Sequence, residues 1–153
     1  MSMHNWFECK IRYEKVTENG MQKKVTEPYL VDALSFTEAE ARIIEEMTPF
    51  ITGEFTVSDI KRANYSELFP SDEESADRWF KCKLIFITLD EKSGAEKKTS
   101  TQVLVQAADL RDAVKKLDEG MKGTMADYQI GMVSETPLMD VYPYSAGPND
   151  KPE

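Results

Sequence analysis

The chain has 153 residues, 41% hydrophobic and 10% aromatic, which suits one compact domain or two very small ones and is too apolar for a disordered polymer. No stretch approaches the run of about 18 apolar residues that a membrane span requires, so no membrane partner is expected. A net charge of −9 argues against non-specific nucleic-acid binding, which runs on phosphate neutralisation, but leaves room for a local basic face.

The charge is unevenly placed. Residues 1–70 carry −4, the short segment 71–78 carries −3, residues 79–144 carry −1, and the tail carries the rest. The start, Met1 to Trp6, lacks the basic and apolar regions of a secretory signal. Cys9 and Cys82 are too few for a disulfide scaffold, so a reducing compartment, the cytoplasm, is expected.

In chain order, the first predicted strand begins at Trp6 and alternates. Phe7, Cys9, Ile11 and Tyr13 point one way, and Trp6, Glu8, Lys10, Arg12 and Glu14 the other. Asn19-Gly20 marks a hairpin turn, and a second strand runs over about 23–33. Ser35 with Glu38 makes a capping box, opening a helix whose apolar stripe is Phe36, Ala39, Ile43 and Met47. The helix stops before Pro49, and a third strand holds Phe55, Val57 and Ile60. Pro70 reads as a turn, followed by an acidic linker at 71–78.

The pattern then repeats. Trp6-Phe7-Glu8-Cys9-Lys10 returns as Trp79-Phe80-Lys81-Cys82-Lys83, and Gly20 with Lys23-Lys24 returns as Gly94 with Lys97-Lys98. Leu30-Val31-Asp32-Ala33 returns as Leu104-Val105-Gln106-Ala107, and Ala39, Glu45 and Met47 return as Ala113, Glu119 and Met121. The copies end alike, Glu67-Leu68-Phe69-Pro70 against Asp140-Val141-Tyr142-Pro143. A period near 73 residues, with roughly a third of positions identical between 6 and 47 and their counterparts, is a tandem duplication. In the second copy Phe80, Cys82, Leu84 and Phe86 face inward, Asp109 caps a helix carrying Leu110, Ala113, Leu117 and Met121, and Tyr128, Ile130 and Val133 lie on a third strand.

These readings predict an α+β fold: a duplicated strand-strand-helix-strand unit forming one two-layer, pseudo-twofold antiparallel sheet with two helices. The organisation expected is a first copy at 1–70, the acidic linker, a second copy at 79–144 and a flexible tail at 145–153, all one cooperative domain because a single copy buries little.

Three segments, Trp6–Lys10, the run Val25–Ala39, and Ala76–Leu84, are similar to a family of domains of unknown function carried by anaerobic gut bacteria and some of their phages. The resemblance covers almost the whole chain. It implies no catalytic residue, and its phage-borne members point to DNA metabolism.

The paired aromatic and basic pattern carries the leading functional expectation: a non-catalytic module binding single-stranded nucleic acid. Trp6 and Trp79 would stack bases, and Lys10, Arg12, Lys23, Lys24, Lys81, Lys83, Lys97 and Lys98 would hold phosphates. The competing reading makes the two indoles rim cover for the core and the lysines ordinary solvated residues. A second expectation is a protein-interaction or regulatory subunit, because Ile85 and Ile87 break the polar outer pattern of copy one; burial within the chain would equally account for them.

No enzyme, cofactor or metal site is expected. Cys9 and Cys82 sit on inner faces as small hydrophobes, and Met47 and Met121 fill helical stripes. His4 is the only histidine, so a His metal cluster is excluded and a His-dependent triad is not expected. Asp72-Glu73-Glu74 with Asp77 reads as a solvated, self-repelling linker rather than a cation site. Glu45 and Glu119 recur as surface helix glutamates, and Gly20 and Gly94 lack the spacing of a phosphate loop. A small-molecule enzyme would require a polar pocket between the copies.

Overall fold

The computed structural model describes residues 5–143. His4 and the tail 145–153 lie outside the described residues. The elements run β1 (Trp6–Val16), β2 (Gln22–Asp32), α1 (Phe36–Met47), β3 (Phe55–Ala63), β4 (Glu67–Phe69), β5 (Arg78–Leu89), β6 (Glu96–Ala107), α2 (Leu110–Gly120), β7 (Asp127–Glu135) and β8 (Asp140–Tyr142). The fold is α+β, with the two hairpins, two helices and two third strands at the positions that alternation and capping predict.

Instead of the single sheet expected, there are two four-stranded sheets, ordered β3-β1-β2-β8 and β4-β6-β5-β7. The two closing tetrapeptides, the first of them expected from sequence to turn at Pro70, form short strands. Each lies parallel on a strand of the other copy, β4 on β6 and β8 on β2. The chain accordingly divides into two compact units, one holding residues up to Asn64 with those from Leu138 on, the other Tyr65–Pro137. The copies are linked by exchanging terminal strands rather than by merging their sheets.

In the first unit, β1 pairs antiparallel with β2 and with β3. Phe7, Cys9 and Ile11 of β1, with Val31 of β2, pack on Ala39, Ile43 and Met47 of α1, all buried. In the second unit Phe80, Cys82, Leu84, Val103 and Val105 meet Ala113, Leu117 and Met121 in the same way. Both third strands carry a one-residue bulge against the first strand of their unit at equivalent places, Ser58 opposite the Lys10–Ile11 step and Gly131 opposite the Lys83–Leu84 step. Gly20 and Gly94 hold φ of 77° and 71° in the hairpin turns, the left-handed region where a side chain is strained.

The helix starts use reciprocal caps. Ser35 Oγ accepts from the Glu38 N–H at 3.1 Å while Glu38 Oε1 accepts from the Leu34 N–H at 3.0 Å. Asp109 Oδ1 accepts from the Asp112 N–H at 2.8 Å, and Asp112 Oδ2 from the Ala108 N–H at 3.0 Å. Two backbone donors that the helix cannot satisfy internally are met at each end.

The acidic linker is anchored, in contrast to a self-repelling tether. The Ser71 N–H donates to Gln106 Oε1 at 2.9 Å, and Ala76 is buried. Lys116 Nζ donates to Ser71 Oγ at 3.1 Å, pairs with Asp112 at 2.9 Å and forms a close ion pair with Glu73. One lysine thus offsets part of the segment's negative charge.

Leu117→Ala should lower the unfolding free energy by about 2–5 kcal/mol, since a fully buried side chain leaves a cavity. Asp109→Ala should cost only about 1 kcal/mol, the worth of one cap. Urea unfolding of both variants tests this order; equal losses would contradict the packing described.

Candidate functional site

The outer faces of the sheets, away from the helices, carry the residues that the sequence singles out. Strand alternation does put Trp6, Lys10 and Arg12, and Trp79, Lys81 and Lys83, on those faces. Both indoles are closed off, however, with Trp6 3% and Trp79 6% exposed. Leu30 and Leu104, on the same faces of β2 and β6, are fully buried as well. A ring with no free face cannot stack a base, so the platform half of the nucleic-acid expectation is lost.

The basic residues do not form a continuous track. Lys10 and Lys81 are half-buried, whereas Arg12, Lys23, Lys24, Lys83, Lys97 and Lys98 are exposed. Adjacent lysines in Lys23-Lys24 and in Lys97-Lys98 point to opposite faces of their strands. On the first outer face Lys10 and Arg12 are flanked by Glu8 and Glu14, Lys10 stands opposite Asp59, and Lys61 pairs with Glu8 at 3.9 Å. Carboxylates interleaved at this spacing cancel the field that a phosphate backbone would feel.

The second outer face differs. Ile85, Ile87 and Leu89 form a row along β5, where the repeat positions of the first unit hold Arg12, Glu14 and Val16. Ile85 and Ile87 are half-buried and Leu89 is 69% exposed. Met132 of β7, 40% exposed, extends the row beside Lys83. Gly131 fills the β7 bulge, and a Cβ there would stand 2.9 Å from Ile85 Cδ1. The glycine leaves the space that the isoleucine occupies; its counterpart in the first unit is Ser58, whose hydroxyl donates to the Lys10 carbonyl at 3.3 Å.

A cluster that sequence reasoning missed lies on the helix-side face of the first sheet. Tyr13 Oη donates to Glu27 Oε1 at 2.8 Å, the Tyr29 hydroxyl reaches the same oxygen at 3.4 Å, and Lys15 pairs with Glu27 at 3.8 Å. Burial, then the hydrogen bond from Tyr13 to Glu27, pushes the Tyr13 phenol up to about 12. Burial and the Glu27 charge raise Tyr29 as well. Repeat positions in the second copy hold Phe86, Thr101 and Val103, so the cluster belongs to one copy and a search for repeated residues passes over it.

Burial pushes the Cys9 thiol up to about 12, helped by Glu8 and Asp59, and Cys82 up to about 11. Both stay protonated near neutrality and are poor nucleophiles. Among the described residues no group of three or more His, Cys, Asp or Glu is placed to hold a metal ion, and no helix is long and apolar enough to cross a membrane.

Residues 5–144 match a family described as a domain of unknown function, DUF4494. The chain belongs to that family. The match spans both four-stranded sheets and both helices. No curated protein and no solved structure matches the chain.

The raised thiols and phenols fix a pH dependence. Folding favours their neutral forms, so this contribution is whole below the unfolded thiol value near 9 and is lost as pH rises through about 11 to 12. Urea unfolding should show falling stability from pH 9 upward. In parallel, a thiol-disulfide reagent at pH 8 should modify neither cysteine until urea unfolds the chain; prompt labelling of the folded protein would contradict the burial.

Proposed function

We propose that the chain is a non-catalytic cytoplasmic binding protein that engages another protein through the outer face of its second sheet. The observation that carries this reading is the row Ile85, Ile87 and Leu89, flanked by Met132 and rimmed by Lys83, Lys98 and Gln129. The equivalent row of the first unit is charged at two of its three positions. Large aliphatic side chains held outward on a regular strand lose solvation free energy unless something covers them, and an apolar centre with a polar rim is the usual composition of a protein contact. The fitting partner presents an aliphatic surface edged by polar groups.

The nucleic-acid reading keeps the exposed Lys97 and Lys98 in its favour and has the buried indoles and interleaved carboxylates against it. Protonated, buried thiols speak against thiol chemistry in the third reading, a small-molecule enzyme. The likeness to a family borne by gut bacteria and their phages suggests looking for the partner among proteins of DNA metabolism.

Immobilised chain in native lysate, read by quantitative mass spectrometry, should retain a partner that Ile87→Lys with Leu89→Lys loses by about tenfold or more. The thermal midpoint of the double variant should stay close to that of the parent. Equal retention removes this reading. Fluorescence anisotropy with a labelled single-stranded oligonucleotide at low salt is the second arm: saturable binding, abolished by Lys97→Ala with Lys98→Ala, would put nucleic acid in its place.

A further inference from the structure

The closing tetrapeptides share one chemistry in one order: an acid, an aliphatic residue, an aromatic and a proline. Both form parallel strands in equivalent registers. Glu67, Leu68 and Phe69 lie opposite Val103, Leu104 and Val105, and Asp140, Val141 and Tyr142 lie opposite Tyr29, Leu30 and Val31. The residue before each repeats its contact as well: the Ser66 N–H donates to the Gln102 carbonyl at 2.8 Å, and the Met139 N–H to the Pro28 carbonyl at 2.9 Å.

Side chains complete the seats. Tyr142 packs on the first core and stacks with Tyr29, ring centroids 6.2 Å apart, while Leu138 and Val141 are buried. Arg42 of α1 donates to the carbonyls of Asp32 and Pro143, holding the strand end against β2, the latter at 3.2 Å. In the second unit Phe69 packs on the core and lies over Gly120 of α2, where a Cβ would stand 2.8 Å from the ring. The repeat position of Gly120 is Glu46; burial, then the charges of Asp140 and Glu46, raise the half-buried Tyr142 phenol. One seat is cleared for a bare phenyl ring; the other faces a hydroxyl-bearing ring with a carboxylate.

We propose that the outer edges of β2 and β6 are receptors for an acid-aliphatic-aromatic-proline strand, and that the protein is the fused form of a strand-exchanged pair in which the tail of each copy fills the receptor of the other. Three residues form no strand alone. Their hold comes from the main-chain ladder, which is indifferent to sequence, and from side-chain seats, which are not; this is how strand-addition receptors recognise peptides. The occupant is therefore the matching tail, within this chain or from a second copy.

The test keeps the whole chain. A protease recognition loop inserted between Glu74 and Ser75, both exposed, allows the folded protein to be cut into halves that each carry one tail and one receptor. The cut protein should elute as a single species, and a labelled Leu138–Pro143 peptide in excess should enter it by displacing the tail. Val141→Asp, which buries a charge, should raise the concentration at which the halves separate by about tenfold or more. Should that variant not fold before cutting, Gly120→Val, which intrudes on the Phe69 seat, is read in the same way. Halves that part without denaturant overturn the proposal, as does a seat variant that separates at the parent's concentration or a peptide that never enters.

Discussion

The unpaired edges of β2 and β6 set the terms for the rest of the structure. Within each copy the third strand returns to the free side of the first, so the second strand is left with one row of amide and carbonyl groups unpaired. That row lies in a dry part of the molecule, where Leu30, Val31 and Asp32, and Val103, Leu104 and Val105, are all buried. Buried backbone groups without partners are costly, and an open edge also invites pairing with foreign chains. The exchanged strands cover Tyr29–Val31 of one edge and Val103–Val105 of the other. The exchange follows from the order of the strands more than from any strand propensity in β4 or β8.

Duplication followed by divergence separates what the fold requires from what it permits. The helix-side core repeats nearly residue for residue: Phe7 and Phe80, Cys9 and Cys82, Val31 and Val105, Ala39 and Ala113, Met47 and Met121. The two buried indoles repeat too, which marks them as part of the architecture. The distal outer face differs instead, with Arg12, Glu14 and Val16 in the first unit where the second has Ile85, Ile87 and Leu89. Gly131 in place of Ser58 accompanies the change by making room for Ile85.

Much of this was legible in the sequence. Period-two alternation, the glycine turns and the Ser35-Glu38 and Asp109 caps located both hairpins and both helices, because each of these signals is local. The strands β4 and β8 escaped because three residues before a proline carry no periodicity, and their partners lie 36 and about 111 positions away. With them went the count of sheets. Alternation also put Trp6 and Trp79 on the correct face but could not say whether that face was open, since a pattern along one strand holds no information on what covers it. The Tyr13–Glu27 cluster was hidden for the opposite reason: it is the part of the first copy that the second did not keep.

Nearly equal seats raise the question of what keeps each tail in its place. The main-chain registers are the same, so discrimination has to come from the rings. The seats differ in the helix residue beside them, Glu46 in the first unit and Gly120 in the second. In the first seat Tyr142 stacks on Tyr29, whose repeat position in the second unit is Val103. At Gly120 the Phe69 ring takes the space that a side chain would fill, so the contact depends on the glycine. Each seat therefore has a ring contact of its own, the stack on Tyr29 in one and the space cleared at Gly120 in the other.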